Sequence, residues 1–157
     1  MKLQMELELR ASAERAWQIL GEGFGNICEW TSSLSSSVLE GELREGGIRC
    51  CVSSQSFGPF KAGTVKERLV EFDPSTMTYA YEAFEGLPGF VKRAGNRWSI
   101  EKIDEQRCIV RSDATLELKG MLKIFAPFMK MFMRKDLEKF VEEMRYRIEQ
   151  DTPHPNV

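Results

Sequence analysis

Met121-Leu122-Lys123-Ile124-Phe125-Ala126-Pro127-Phe128-Met129-Lys130-Met131-Phe132-Met133 opens the segment that decides the fold. Beyond it, Met133, Leu137, Phe140, Val141, Met144 and Ile148 keep helical spacing and share one face. Asp136, Glu138, Glu142, Glu143, Arg145 and Arg147 fill much of the rest. This spacing predicts a helix over 127–150, about 24 residues and roughly 36 Å long, enough to cross a small sheet. Phe128, Met131 and Phe132 point away from the 137–144 stripe, so the front of the helix is apolar over more than one face. Such a helix is expected to pack on a broad surface, and the candidate partner is the set of strands before it.

Those strands can be read from alternation and turns. Leu3, Met5, Leu7 and Leu9 alternate with Lys2, Gln4, Glu6, Glu8 and Arg10, the pattern of a half-buried antiparallel strand and not of a signal peptide. Ser12 is placed to cap a short helix with Glu14 in its first turn and Ala16, Trp17 and Leu20 inward. Gly21, Gly23 and Gly25 break it, and a second short turn holds Phe24, Ile27 and Trp30 before the serine-rich loop 31–37. Six further strands are expected at 37–43, 48–54, 63–72, 77–84, 94–103 and 108–118, at hairpin spacing and separated by turn residues. The order is strand, two short helices, six strands and a long helix. It predicts an α+β fold in which a seven-stranded antiparallel sheet curls around the final helix.

The 157 residues suit one domain, read as 1–150 with a disordered tail at 151–157. A net charge of −2 gives no basic field for nucleic acid. Lys123 and Lys130 interrupt the greasiest run before it reaches the ~20 residues of a membrane span. Cys28, Cys50, Cys51 and Cys108 lack metal-ligand spacing and read as free thiols of a cytoplasmic protein. The only histidine, His154, lies in the tail, which argues against a Ser-His-Asp triad, a Cys-His dyad or a histidine-rich metal site. No metal and no cofactor are expected.

Several short stretches, in this order, carry a family likeness: Ala13-Glu14-Arg15-Ala16-Trp17, Trp30, Gly47-Ile48-Arg49, Glu67-Arg68-Leu69 with Asp73, Tyr79-Ala80-Tyr81, Leu87-Pro88 and the closing helix. Together they resemble the START-like superfamily, in particular its polyketide cyclase/dehydrase and lipid-transport group, often called SRPBCC. The resemblance spans about residues 1–150. It implies a helix-grip fold enclosing a cavity for an apolar ligand.

Alternation then selects the residues that would face such a cavity. Val65, Glu67 and Leu69 share a face, which puts a carboxylate on the apolar side. The resemblance implies Arg49 on the inner face as its partner, whereas Ile48, Cys50 and Val52 argue for the opposite register. Tyr79 and Tyr81 point inward, Asn96 and Trp98 share a face, and Ser112 lies on the apolar face of its strand. Trp30 reads as a packing residue and a candidate for the cavity mouth, and Phe128, Met129, Phe132 and Met133 read as core that also suits an adaptable ligand wall. The Leu87-Pro88 loop and the Phe57-Gly58-Pro59 loop flank the expected entrance as candidate gates.

The leading functional expectation is binding or transport of a small hydrophobic ligand, such as a lipid, isoprenoid or polyketide-like molecule. One alternative implied by the resemblance is a polyketide aromatase, cyclase or dehydratase using Glu67 and Arg49. There Glu67 would be the acid–base, although a neighbouring cation favours its ionised form. Another is a protein-interaction module, monomer or homodimer, with the front of the helix as the contact. Lys119, Lys123, Lys130 and Arg134 lie near one helical face; such a run is usually a plain solvated face, with membrane contact the lesser reading. The Arg49–Glu67 pair itself is either a ligand anchor or a buried structural pair.

Overall fold

The computed structural model describes residues 1–53, 55–56 and 61–157; for 122, 123, 125, 126, 130 and 132 it describes the backbone alone. Strand β1 (Lys2–Leu9) leads into α1 (Ala13–Trp17), a π-helical turn (Gln18–Glu22) and a 3-10 segment (Phe24–Glu29). The strands β2 (Ser36–Glu40), β3 (Ile48–Ser53), β4 (Gly63–Asp73), β5 (Thr78–Glu85), β6 (Val91–Asp104) and β7 (Arg107–Leu118) follow. A 3-10 turn (Gly120–Phe125) then enters α2 (Ala126–Gln150). The seven strands form one antiparallel sheet in the order β1-β7-β6-β5-β4-β3-β2. The expected α+β helix-grip architecture is the observed one. No described helix is long and apolar enough to cross a membrane.

Local chemistry accounts for the elements. Ser12 Oγ accepts from Arg15 N at 3.1 Å, capping α1. In β1 every polar residue is exposed and every apolar one is at least half-buried, as strict alternation dictates. Gly86, at φ +83°, makes the turn after β5, where a Cβ would come within 2.0 Å of Thr64 O. Asp151, at φ 57°, ends α2.

Strand register sorts the concave face into rows. Arg49, Glu67, Ala83, Ala94 and Leu116 run side by side across β3 to β7. The next row is Leu69, Tyr81, Asn96, Ala114 and Leu3. The third is Phe72, Tyr79, Trp98, Ser112 and Met5. This third row carries the core: Trp17 and Phe24 pack on Tyr79 at 6.1 and 5.9 Å, and Trp98 stacks on it at 6.4 Å. Met144 and Ile148 of α2 close the core from above, with Leu9, Ile100, Cys108 and Val110 below.

The front of α2 departs from expectation. Met121, Ile124, Phe128 and Met131 are exposed, so this apolar run does not bury its whole circumference on the sheet. Met129 joins a second buried cluster, with Val91, Leu116 and Leu118. A sheet of seven strands covers one side of a helix, and the sides turned away keep their apolar groups in water. Residues 151–157 follow α2 and are exposed except for His154, which is half-buried. His154 meets Tyr146 edge-on at 5.0 Å, and Asn156 N donates to His154 Nδ1 at 3.2 Å.

Candidate functional site

Between the sheet and α2 lies a cavity of about 390 Å³. Its floor is the first two rows of the sheet: Glu67, Ala83 and Ala94, then Tyr81, Asn96, Ala114 and Leu3. Met133, Leu137 and Phe140 of α2 form the roof, and Thr31, Ser33 and Leu34 of the serine-rich loop form one side. The space exists because the floor is built from small residues where the third row has aromatic ones. Ala83 pairs with Ala94, and Asn96 pairs with Ala114, so no bulky ring fills the centre.

The polar groups are few and mostly committed. Arg49 is 3% exposed. Its Nε and Nη2 donate to Glu67 Oε2 at 2.8 and 2.6 Å, and its Nη1 donates to Phe24 O at 2.8 Å. The guanidinium carbon lies 4.0 Å from the centre of the Phe24 ring and 4.8 Å from that of Tyr81. Burial pulls its pKa down most strongly, but the charge and hydrogen bond of Glu67, with the nearby Tyr81 and Cys51 groups, together outweigh that and hold it above the ordinary arginine value. The register that puts Arg49 inward is therefore the one adopted, with Cys51 on the same face.

Cys51 Sγ donates to the same Oε2 at 3.7 Å. Burial, reinforced by the Glu67 charge and only partly opposed by Arg49, pushes its thiol up to about 12. It is a neutral donor and not a nucleophile. Burial likewise raises Tyr81, with the Glu67 charge adding to it. Asn96 Oδ1 accepts from Ser112 Oγ at 2.9 Å, so the amide NH₂ is the end of Asn96 left for the cavity.

Of the residues chosen from sequence, Arg49, Glu67, Tyr81, Asn96, Trp98 and Met133 line the cavity. Tyr79 and Ser112 lie one row deeper, Tyr79 in the aromatic core and Ser112 beneath Asn96. Trp30 packs on Phe140 at 5.2 Å, with its Nε1 unpartnered among the described residues, and supports the roof from behind. Phe128 is 59% exposed, and Met129 sits in the second cluster. The Phe132 side chain and the Phe57-Gly58-Pro59 loop lie outside what is described. Of the other candidate gate, Leu87 packs against the second cluster.

Sequence reasoning passed over the small floor residues and the loop wall. It also passed over Glu143, which is buried within α2 at 1% exposure. Glu143 Oε2 accepts from Thr31 Oγ1 and Ser32 N, both at 3.0 Å, and its other oxygen accepts from Ser32 Oγ. Lys139 Nζ approaches to 3.9 Å. This carboxylate fastens the cavity's side wall to its roof. The available signal was an acid three residues after Phe140 and one before Met144, inside the apolar stripe, matched by the donor-rich Thr31-Ser32-Ser33.

Among solved structures, the chain resembles a START superfamily protein from Mycobacterium smegmatis, at TM-score 0.76 and 17% identity over 96% of this chain and 99% of that one. A norcoclaurine synthase from Thalictrum flavum, solved as a point mutant, matches at TM-score 0.72 and 17% identity, covering 94% and 93%. The di-domain ARO/CYC BexL of the BE-7585A biosynthetic pathway matches at TM-score 0.76 and 11% identity over 94% of this chain and 46% of that one. At these identities the likeness is one of fold. A search of curated proteins finds no match. The family model described as polyketide cyclase / dehydrase and lipid transport matches residues 1–149. With nearly the whole chain matched and the helix-grip architecture in place, the protein belongs to that family.

Proposed function

We propose that the protein binds a small hydrophobic molecule in the cavity between its sheet and α2. The observation that carries this reading is a void of about 390 Å³ whose floor is Ala83, Ala94 and Ala114 and whose roof is Met133, Leu137 and Phe140. That size lies within the ~300–1,000 Å³ of small-molecule sites, and an apolar hollow with a few directed polar groups is their usual composition. Methionine and leucine in the roof suit a wall that adapts to its guest. A cyclase-type reading would need Glu67 to exchange a proton with substrate. Against it, both Arg49 bonds and the Cys51 thiol already engage Oε2.

The test is native mass spectrometry of freshly purified protein, followed by organic extraction. One apolar molecule at stoichiometric level is the expected result. Ala114→Phe, which fills the floor, should abolish its retention while leaving the protein folded. Undiminished retention by that variant would place the ligand elsewhere and overturn the reading.

A further inference from the structure

The cavity presents the two members of its ion pair unequally. The Arg49 side chain is 4% exposed and that of Glu67 is 16%. Three of the five guanidinium N–H donors are spent, two on Glu67 and one on Phe24 O, and Phe24 and Tyr81 rings lie against the cation. Arg49 is thus committed to the protein, and the charged group facing the void is a carboxylate. At the second polar point, Asn96 has its oxygen bonded to Ser112, which leaves donors. Glu67 stands on β4 and Asn96 on β6, so about 10 Å of sheet separates them.

An anionic head in this space would meet Glu67 at close range, with no free cation among the described lining residues and with apolar walls around both. A cationic head would give up its hydration for a carboxylate that Arg49 already neutralises. An uncharged hydroxyl meets neither penalty and can donate a charge-assisted hydrogen bond to Glu67. Resting on the binding function above, we propose that the cavity selects neutral, hydroxyl-bearing ligands and rejects carboxylates. The ligand's hydroxyl donates to Glu67, and an acceptor such as a carbonyl, about a bicyclic ring's length away, receives a bond from the Asn96 amide.

Four probes on one aromatic body test this at pH 7.5 by ligand-observed NMR titration: 2-methylnaphthalene, 2-naphthol, 2-naphthoate and 6-acetyl-2-naphthol. The expected order places 2-naphthol about tenfold tighter than 2-methylnaphthalene, with 2-naphthoate weaker than both. The added acetyl group should tighten binding further, and in Asn96→Ala 6-acetyl-2-naphthol should bind no tighter than 2-naphthol. In Glu67→Gln the gap between 2-naphthol and 2-naphthoate should narrow. If 2-naphthoate binds as well as 2-naphthol to the unaltered protein, the selectivity is refuted while the binding cavity stands. If not even 2-methylnaphthalene binds, the binding function falls and the selectivity with it.

Discussion

Glu143 and Thr31, 112 residues apart in sequence, are joined by a 3.0 Å hydrogen bond from the Thr31 hydroxyl to a carboxylate that solvent barely reaches. Ser32 adds a backbone and a hydroxyl donor to the same group. Glu143→Ala would leave the Thr31 hydroxyl and the Ser32 N–H without their acceptor, at a cost of about 2–4 kcal/mol. Glu138→Ala, which removes only an exposed pair with Arg134, should change stability by less than about 0.5 kcal/mol. Urea denaturation of both variants makes the comparison. Equal, small effects would mean that Glu143 does not fasten the loop.

The Arg49–Glu67 pair is expected to be costly to break and cheap to replace. Arg49→Met strands the Glu67 carboxylate beside an apolar void and should cost about 3–5 kcal/mol. Adding Glu67→Leu removes the stranded charge and should recover at least half of that loss. The urea midpoints of the single and double variants decide it. A double variant as unstable as the single one would contradict this account.

Alkaline pH should destabilise the fold early. Burial raises the Cys108 thiol from 9.0 to about 11 and the Cys51 thiol from 9.0 to about 12, and it raises the phenols of Tyr79 and Tyr81. All four hold their protons more tightly folded than unfolded. Their contribution is complete below pH 9.0, where the unfolded thiols begin to ionise, and is lost as pH rises through the folded values. The urea midpoint should fall between pH 9 and pH 12. In Cys51→Ala/Cys108→Ala the onset should shift upward, toward the 10.0 of a free phenol. A profile flat to pH 11 would be inconsistent with thiols buried this way.

Two glycines separate strain from collision. Gly41 has φ +88° with nothing within 4 Å of a built Cβ, whereas at Gly86, φ +83°, that atom would meet Thr64 O at 2.0 Å. Gly41→Ala should cost about 1 kcal/mol, the price of a left-handed residue alone. Gly86→Ala should cost at least about twice that, because backbone must move at the edge of β4. Thermal melts of the two variants would reveal the difference, and equal values would remove the collision from the account.

Much of this architecture can be read from period and punctuation. The alternation of Leu3, Met5, Leu7 and Leu9 and the turn residues between strands suffice for a seven-stranded antiparallel sheet with a closing helix. Glu67 on the inner face follows from Val65 and Leu69 beside it. Depth is another matter. Tyr79 and Tyr81 have the same period and the same chemistry, yet one belongs to the core and the other to the cavity, because their rows meet different neighbours across the sheet. Period assigns a face, while register, set by pairing between distant strands, assigns the row. Phe128 fails for a related reason: a run apolar all round does not declare which side meets the sheet. Glu143 was hidden among Glu138 and Glu142, since its burial depends on a loop more than a hundred residues away.

The cavity also has a temporal consequence. β1, the first strand made, pairs with β7, the last, and the wall at Thr31 waits for a carboxylate in the final turns of α2. During synthesis the aromatic row of Tyr79 and Trp98 emerges long before the helix that covers it. Low-local, long-range pairing of this kind folds slowly and leaves apolar surface open meanwhile. A ribosome halted before α2 would display a sticky, half-closed sheet, a natural client for a holding chaperone. Arrival of α2, and not the emergence of any one strand, is what seals the pocket.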